Sequence, residues 1–206
     1  MNTRSRTRLQ RSTVGLTAVT ALVLAVLPAA AQSNNREVPM PIRLRVADDV
    51  RVGQASPQVV LPYATRDGIG PAAQPFDLRK ELGLVVVLAF YPGDFTPGCA
   101  AEWRTLRDRA ETLFGPDVVV AGISADSLDS HIRFARELDL PFKLLSDPGL
   151  SVARNYGVAD GDRARRAVVV VGRDGVVRYF DPAFAALDPQ SYSQLGAAVQ
   201  AARKER

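Results

Sequence analysis

Cysteine is nearly absent from this chain of 206 residues: Cys99 is the only one, and His131 is the only histidine. A single cysteine forms no disulfide within the chain and offers no C-x-x-C pair for dithiol exchange; Glu102 stands where the second sulfur of such a pair would be. One cysteine and one histidine do not make a structural zinc site, so neither a metal nor another cofactor is expected. A cysteine–histidine hydrolase would have to take His131 as its base. That residue follows Ser130 at the start of an expected helix, where an exposed or capping histidine is the simpler reading. Internal repeats and low-complexity tracts are also missing.

Acidic residues are missing from the first 31 positions, which carry Arg4, Arg6, Arg8 and Arg11 ahead of the apolar stretch Val14 to Leu27. That stretch, broken by Gly15, Thr17 and Thr20, is too short to span a bilayer comfortably, and Ala29, Ala30 and Ala31 follow as a small-residue cleavage site. Residues 1–31 therefore read as a secretory signal peptide without a twin arginine or lipobox cysteine, the alternative being an uncleaved anchor of the same topology. Export to the periplasm or outside the cell is the expected destination. Removing the leader takes four of the 26 basic residues, leaving 22 against 22 acidic ones. A formally neutral mature chain gives no ground for nucleic-acid or membrane partners. Residues 32–50 read as a linker, and residues 51–206 are long enough for one compact domain.

Within that domain, Gln58 to Leu61 and a turn-rich stretch through Gly68 and Gly70 precede Leu84 to Tyr91, a continuous apolar run of the kind a strand buried on both faces shows. The spacing of Trp103, Leu106, Ala110 and Leu113 predicts a helix over Cys99 to Phe114, stopped by Gly115-Pro116. Strands are expected at Val118 to Ile123 and Phe142 to Leu145. Helices are expected at Ser127 to Leu138, Leu150 to Tyr156 and Pro189 to Arg203. Ala167 to Val171 and Val176 to Phe180 flank Gly172-Arg173-Asp174-Gly175, a hairpin signal. Alternating strands and helices followed by a hairpin describe an α/β domain with a central mixed sheet flanked by helices on both faces, the thioredoxin-like arrangement. Asp126 reads as a helix cap, and Asp94 and Asp147 as loop and turn acids.

A free cysteine is often just a small buried hydrophobe, but the surroundings of Cys99 argue for chemistry. The stretch from Phe90 to Glu102, FYPGDFTPGCAAE, runs from the carboxyl end of a buried strand into a helix, the place where open α/β sheets bind ligands. A cysteine in a first helical turn faces unpaired N–H groups and the positive end of the macrodipole, both of which favour the nucleophilic thiolate. Thr96 offers a hydroxyl from the same loop; Pro92 and Pro97 stiffen it, and Gly98 admits close approach of the backbone. Phe95 and Trp103 are candidates either for apolar substrate contact or for the core.

These residues resemble the peroxiredoxin family, most closely its bacterioferritin-comigratory-protein type. Pro92, Thr96 and Cys99 match the family pattern P-x-x-x-T-x-x-C, and Glu102 matches the acid three residues after the reactive cysteine. Further likeness runs through Gly122 to Ser127, through Ser130-His131 with Phe134, Ala135 and Leu138, and through Leu140 to Asp147, so that it covers roughly residues 50 to 200. The resemblance implies a thiol peroxidase in which Cys99 attacks hydrogen peroxide or an organic hydroperoxide and becomes a sulfenic acid. It also implies an arginine, opening a later strand, that reaches the cysteine and pairs with the acid. Arg166 fits that place and Arg165 is the fallback; neighbouring strand residues face opposite ways, so at most one of them aims at Cys99.

One departure matters. The second cysteine that many members carry five residues after the first is Arg104 here. The sulfenic acid then needs an external thiol, a thioredoxin-like partner or a second copy of the chain, and the protein acts as monomer or homodimer. The rival reading is a redox sensor or holdase that uses Cys99 without multiple turnover.

Overall fold

A computed structural model describes residues 50–205. The expected leader and almost all of the linker lie outside the described residues. Among the described residues the first elements are four short strands, β1 (Val60–Leu61), β2 (Tyr63–Thr65), β3 (Gly68–Ile69) and β4 (Phe76–Asp77), then a 3-10 turn at Leu78–Glu81. Next come β5 (Val85–Phe90), helices α1 (Pro97–Asp108) and α2 (Ala110–Leu113), β6 (Val118–Ser124), α3 (Leu128–Glu137), β7 (Lys143–Ser146) and α4 (Ser151–Asn155). The small hairpin β8 (Ala159–Asp160) and β9 (Arg163–Ala164), the larger hairpin β10 (Ala167–Val171) and β11 (Val177–Asp181), and α5 (Pro189–Lys204) complete the domain.

Seven strands form one mixed sheet in the order β11-β10-β5-β6-β7-β2-β3. Strands β5, β6 and β7 are parallel, joined by helical crossovers as parallel neighbours must be; β10, β11, β2 and β3 add antiparallel margins. All six residues of β5 are buried. Val85, Val87 and Ala89 join the core under α1, α3 and α5, while Val86, Leu88 and Phe90 join the opposite core under α4 and the 3-10 turn. This is the strict alternation of a strand covered on both faces. The helices are unequally shared: the three long ones lie over one core, and only the short α4 serves the other.

The single helix expected from Cys99 to Phe114 is two. The chain leaves helical geometry at Arg109 (φ −106°, ψ 11°), and the redirected α2 brings Leu113 against α5 at Gly196, where a Cβ would sit 3.1 Å from Leu113 Cδ2. Packing against a distant helix overrode a continuous apolar period. The helix also begins earlier, with Thr96 at the N-cap and Pro97 at the first helical position, where a missing N–H costs nothing. The β8–β9 hairpin and the sheet-edge pair β2–β3 are too short to announce themselves by periodicity.

Candidate active site

Parallel strand β5 ends at Phe90, and the loop that follows carries the chain over the sheet edge into α1. With Thr96 as N-cap, Cys99 falls in the first turn of α1, on the buried face that continues through Glu102, Trp103 and Leu106. Its sulfur is buried and unpaired with any other cysteine.

Antiparallel strand β10 supplies the second component. Ala167 pairs with Phe90, so the residue before it, Arg166, arrives level with the end of β5 where the loop to α1 starts. The Arg166 guanidinium donates through Nη2 to Cys99 Sγ at 3.3 Å and through Nη1 to Glu102 Oε2. Gly98 makes the approach possible, since a Cβ there would stand 3.3 Å from Nη2. Glu102 is fully buried, and its other oxygen, Oε1, has no hydrogen-bond partner. Arg165 turns away: its Nη2 donates to the Gly157 carbonyl at 2.6 Å.

Thr96 and Pro92 lie in the same loop. The Thr96 hydroxyl donates to the Gly93 carbonyl at 3.2 Å and does not cap α1, so the first-turn N–H groups are left without a side-chain acceptor. Pro92 is half-buried, and Phe95, 46% exposed, has its ring edge-on to Phe134 at 5.3 Å. Trp103 is wholly core, packed on Tyr91 at 5.4 Å and Phe142 at 5.7 Å, which removes it from any substrate contact.

Beside Arg166 and Gly98 opens a cavity of about 570 Å³ walled by Phe184, Ala185, Ala186, Leu187 and Asp188. Leu187 stands 80% exposed on this wall, and the Tyr192 hydroxyl holds the segment by donating to the Ala186 carbonyl at 2.8 Å. A second cavity, about 620 Å³, lies at the other end of the sheet, near the start of β6 and β7, away from the cysteine.

His131 and Asp126 depart from their sequence reading, while Asp94 and Asp147, a loop and a turn acid as expected, also bind further partners. His131 is neither exposed nor a cap: it is completely buried, with Nδ1 3.0 Å from Asp94 Oδ2 and Nε2 3.2 Å from the Leu145 carbonyl. Asp94, in the loop as expected, also accepts from the Tyr91 hydroxyl at 2.8 Å. Burial first, then the charge of Asp94, raises the Tyr91 phenol well above its ordinary range, so it stays a donor. Asp126 does not cap α3; Ser127 does, accepting from the Ser130 N–H, while Asp126 Oδ2 accepts from the Asp94 N–H at 2.9 Å and the Ser124 hydroxyl at 2.7 Å. Asp147 caps α4, receiving N–H groups of Ser151, Val152 and Ala153. The partners of Asp147 follow it by four to six residues, whereas the Asp94–Asp126 and Asp94–His131 contacts join segments more than thirty residues apart.

The sequence profile of the AhpC/TSA family matches residues 52–180, well over half of the chain. The chain belongs to the AhpC/TSA family. Among its relatives, a chloroplastic peroxiredoxin Q of Sedum lineare is 39% identical over 120 residues, covering 57% of this chain and 63% of the relative. The Coxiella burnetii protein named as peroxiredoxin bcp is 37% identical over 136 residues, covering 62% of this chain and 85% of its own length. The chain spans 60–65% of the length of several chloroplastic relatives it matches. These relatives are chloroplastic or bacterial. Among solved structures, the peroxidoxin BcpB of Mycobacterium tuberculosis superposes with a TM-score of 0.64 at 27% identity, covering 74% of this chain and 97% of that one. The bacterioferritin comigratory protein of Xanthomonas campestris shares the fold at a TM-score of 0.59 and 23% identity, covering 69% of this chain and 92% of that one. The thioredoxin-like fold expected from the order of elements is the fold of this peroxiredoxin domain.

Proposed function

We propose that this AhpC/TSA-family chain is a thiol-dependent peroxidase with Cys99 as its nucleophile. The observation that carries the reading is the Arg166 guanidinium held by Glu102 and donating to the cysteine sulfur. A fixed cation against a buried sulfur supplies the partner a thiolate needs and remains in place as negative charge moves to the leaving oxygen. The Cys99 thiolate attacks the terminal oxygen of a hydroperoxide, an S–O bond forms as the O–O bond breaks, and the departing hydroxide or alkoxide takes up a proton. Thr96 and the first-turn N–H groups of α1 hold the substrate oxygens, Arg166 stabilises the leaving group, Glu102 orients Arg166, and Pro92 shields the pocket.

The sulfenic acid is cleared by an external thiol: it forms a mixed disulfide and releases water, and a second thiol returns Cys99 to the reduced state. The Xanthomonas campestris protein has been described as having alkyl peroxide reduction activity. The apolar wall from Phe184 to Leu187 beside Arg166 supports organic hydroperoxides, along with hydrogen peroxide, as substrates here. The layout of residues 1–31 supports an exported enzyme with a thiol reductant outside the cytoplasm. The one observation favouring a sensor that does not turn over is the absence of a second cysteine.

Trp103, the sole tryptophan, is one helical turn from Cys99 and reports its oxidation in stopped-flow fluorescence. The reduced protein is expected to react with hydrogen peroxide far faster than a free thiol, and the Cys99→Ser variant not at all. A rate equal to that of free cysteine would sink the peroxidase reading. Stoichiometric oxidation without turnover, across small thiols and thioredoxin-like proteins, would give first place to the sensor.

A further inference from the structure

His131 is the chain's one histidine, it is fully buried, and the chemistry above makes no use of it. Both of its ring nitrogens face oxygen. The Leu145 carbonyl only accepts, so Nε2 carries a proton. At the other nitrogen, a bare Nδ1 and a bare carboxylate oxygen would set two lone pairs against each other at 3.0 Å. A proton therefore lies between them, and the pair is neutral overall whether it is imidazolium with carboxylate or imidazole with carboxylic acid. A neutral, hydrogen-bonded pair is the form that suits a site closed to water.

This pair joins α3 to the loop that leads into α1. Asp94 lies five residues before Cys99, and three groups hold it: His131 and the Tyr91 hydroxyl on its side chain, and Asp126 on its backbone N–H. The next residue, Phe95, has a left-handed backbone (φ 57°) unusual for a bulky side chain. Strained geometry of this kind persists where its surroundings over-determine it, and here the Asp94 clamp on one side and the Phe95–Phe134 contact on the other do so. Thr96 follows and opens α1.

We propose that His131 and Asp94 are positioning residues: the hydrogen bond between their side chains fastens the loop from Gly93 to Gly98 to α3, so that Thr96 and the first turn of α1 are set for the reaction at Cys99. The inference rests on the peroxidase reading for its kinetic consequence but not for its structural one.

The test compares Asp94→Ala, Asp94→Asn, His131→Ala and the Asp94→Ala/His131→Ala double variant of the full chain. Asparagine keeps the link without the shared proton, since its amide N–H donates to Nδ1 of a neutral ring whose Nε2 proton still reaches Leu145. Expected are a slowing of Cys99 oxidation by hydrogen peroxide of about 10- to 100-fold in each alanine variant, a double variant within about twofold of the slower single one, and recovery to within about threefold of the parent in Asp94→Asn. A bulky maleimide provides a readout that needs no peroxidase activity: Cys99, buried in the parent, is expected to be labelled faster in the alanine variants and at the parental rate in Asp94→Asn. Unchanged oxidation and labelling in Asp94→Ala, additive losses in the double variant, or failure of Asp94→Asn to recover would each overturn the proposal. If His131→Ala does not fold, Asp94→Ala against Asp94→Asn decides alone. A parent protein no faster than a free thiol would defeat the peroxidase reading, while the labelling comparison would still judge the clamp.

Discussion

Helices α1 and α4 both begin at the carboxyl edge of a parallel strand, and their first turns are treated in opposite ways. At α4, Asp147 gathers the N–H groups of Ser151, Val152 and Ala153 and also the Ser151 hydroxyl. At α1, the N-cap hydroxyl of Thr96 is spent on the Gly93 carbonyl, and the turn that contains Cys99 is left without a side-chain cap. Helices α3 and α5 follow α4, closed by Ser127 and Asp188 respectively. Two of the buried carboxylates, Asp147 and Glu102, repeat the contrast: both oxygens of Asp147 are occupied, whereas Glu102 commits one to Arg166 and leaves the other bare. A saturated polar group holds the fold together. Glu102, buried beside Cys99 and Arg166, keeps one oxygen without a hydrogen-bond partner.

The comparison breaks most sharply at Arg166. In Arg166→Ala the cysteine keeps its helical position and loses its charged partner, so Cys99 oxidation by hydrogen peroxide should fall by about 10²–10³-fold, the range seen on removing a preorganised oxyanion donor. Arg166→Lys should recover only part of this, because an ammonium cannot span Sγ and Glu102 as the planar fork does. Stopped-flow rates decide the matter, and an alanine variant as fast as the parent would place the stabilising charge elsewhere.

A smaller effect is expected at Thr96, which tests whether the open helix terminus matters. Thr96→Val keeps the shape and removes the hydroxyl, and the oxidation rate should fall by about 10-fold, or about 1.4 kcal/mol. Thr96→Asp provides the cap that α1 lacks. It should raise thermal stability by about 0.5–1 kcal/mol while slowing the peroxide reaction, because the new carboxylate occupies the N–H groups and repels a thiolate. A faster Thr96→Asp enzyme would mean that the open turn is not where oxygen binds.

How far this contrast is visible in sequence depends on how local each feature is. The segment from Phe90 to Glu102 is contiguous, so strand end, loop, helix start and the Cys99–Glu102 spacing can be read together. The register Ala167 to Phe90 is not local, and alternation alone says only that Arg165 and Arg166 diverge; their assignment comes from the antiparallel pairing of β10 with β5. Asp126 and Ser127 are adjacent and equally suited to cap a helix. The choice falls to Ser127 because Asp126 is drawn away by the Asp94 N–H, which comes from a different loop. His131 is legible only as a histidine on a helix, and its burial follows from Asp94, Tyr91 and Leu145, contributed by other elements. Likewise the break at Arg109 records the seat that Gly196 makes for Leu113.

The smallest expected effect on chemistry belongs to Asp147, where the contrast predicts a change of stability alone. Asp147→Ala leaves the buried N–H groups of Val152 and Ala153, and the N–H and hydroxyl of the exposed Ser151, without their acceptor. The loss should be about 1–3 kcal/mol, the cost of stranding buried donors, and should lower Tm by roughly 2–4 °C per kcal/mol for a domain of this size. Asp147→Asn should recover part of the loss, since its carbonyl oxygen still accepts although its amide nitrogen does not. The folded fraction should oxidise Cys99 at the parental rate in both variants, because α4 packs in the core opposite to the one that holds the cysteine. Thermal melts read the first quantity and stopped-flow fluorescence the second. A peroxide rate that fell in step with stability would show that the two helix termini are coupled through β5, and that the division between a closed structural end and an open reactive one is not a division of labour.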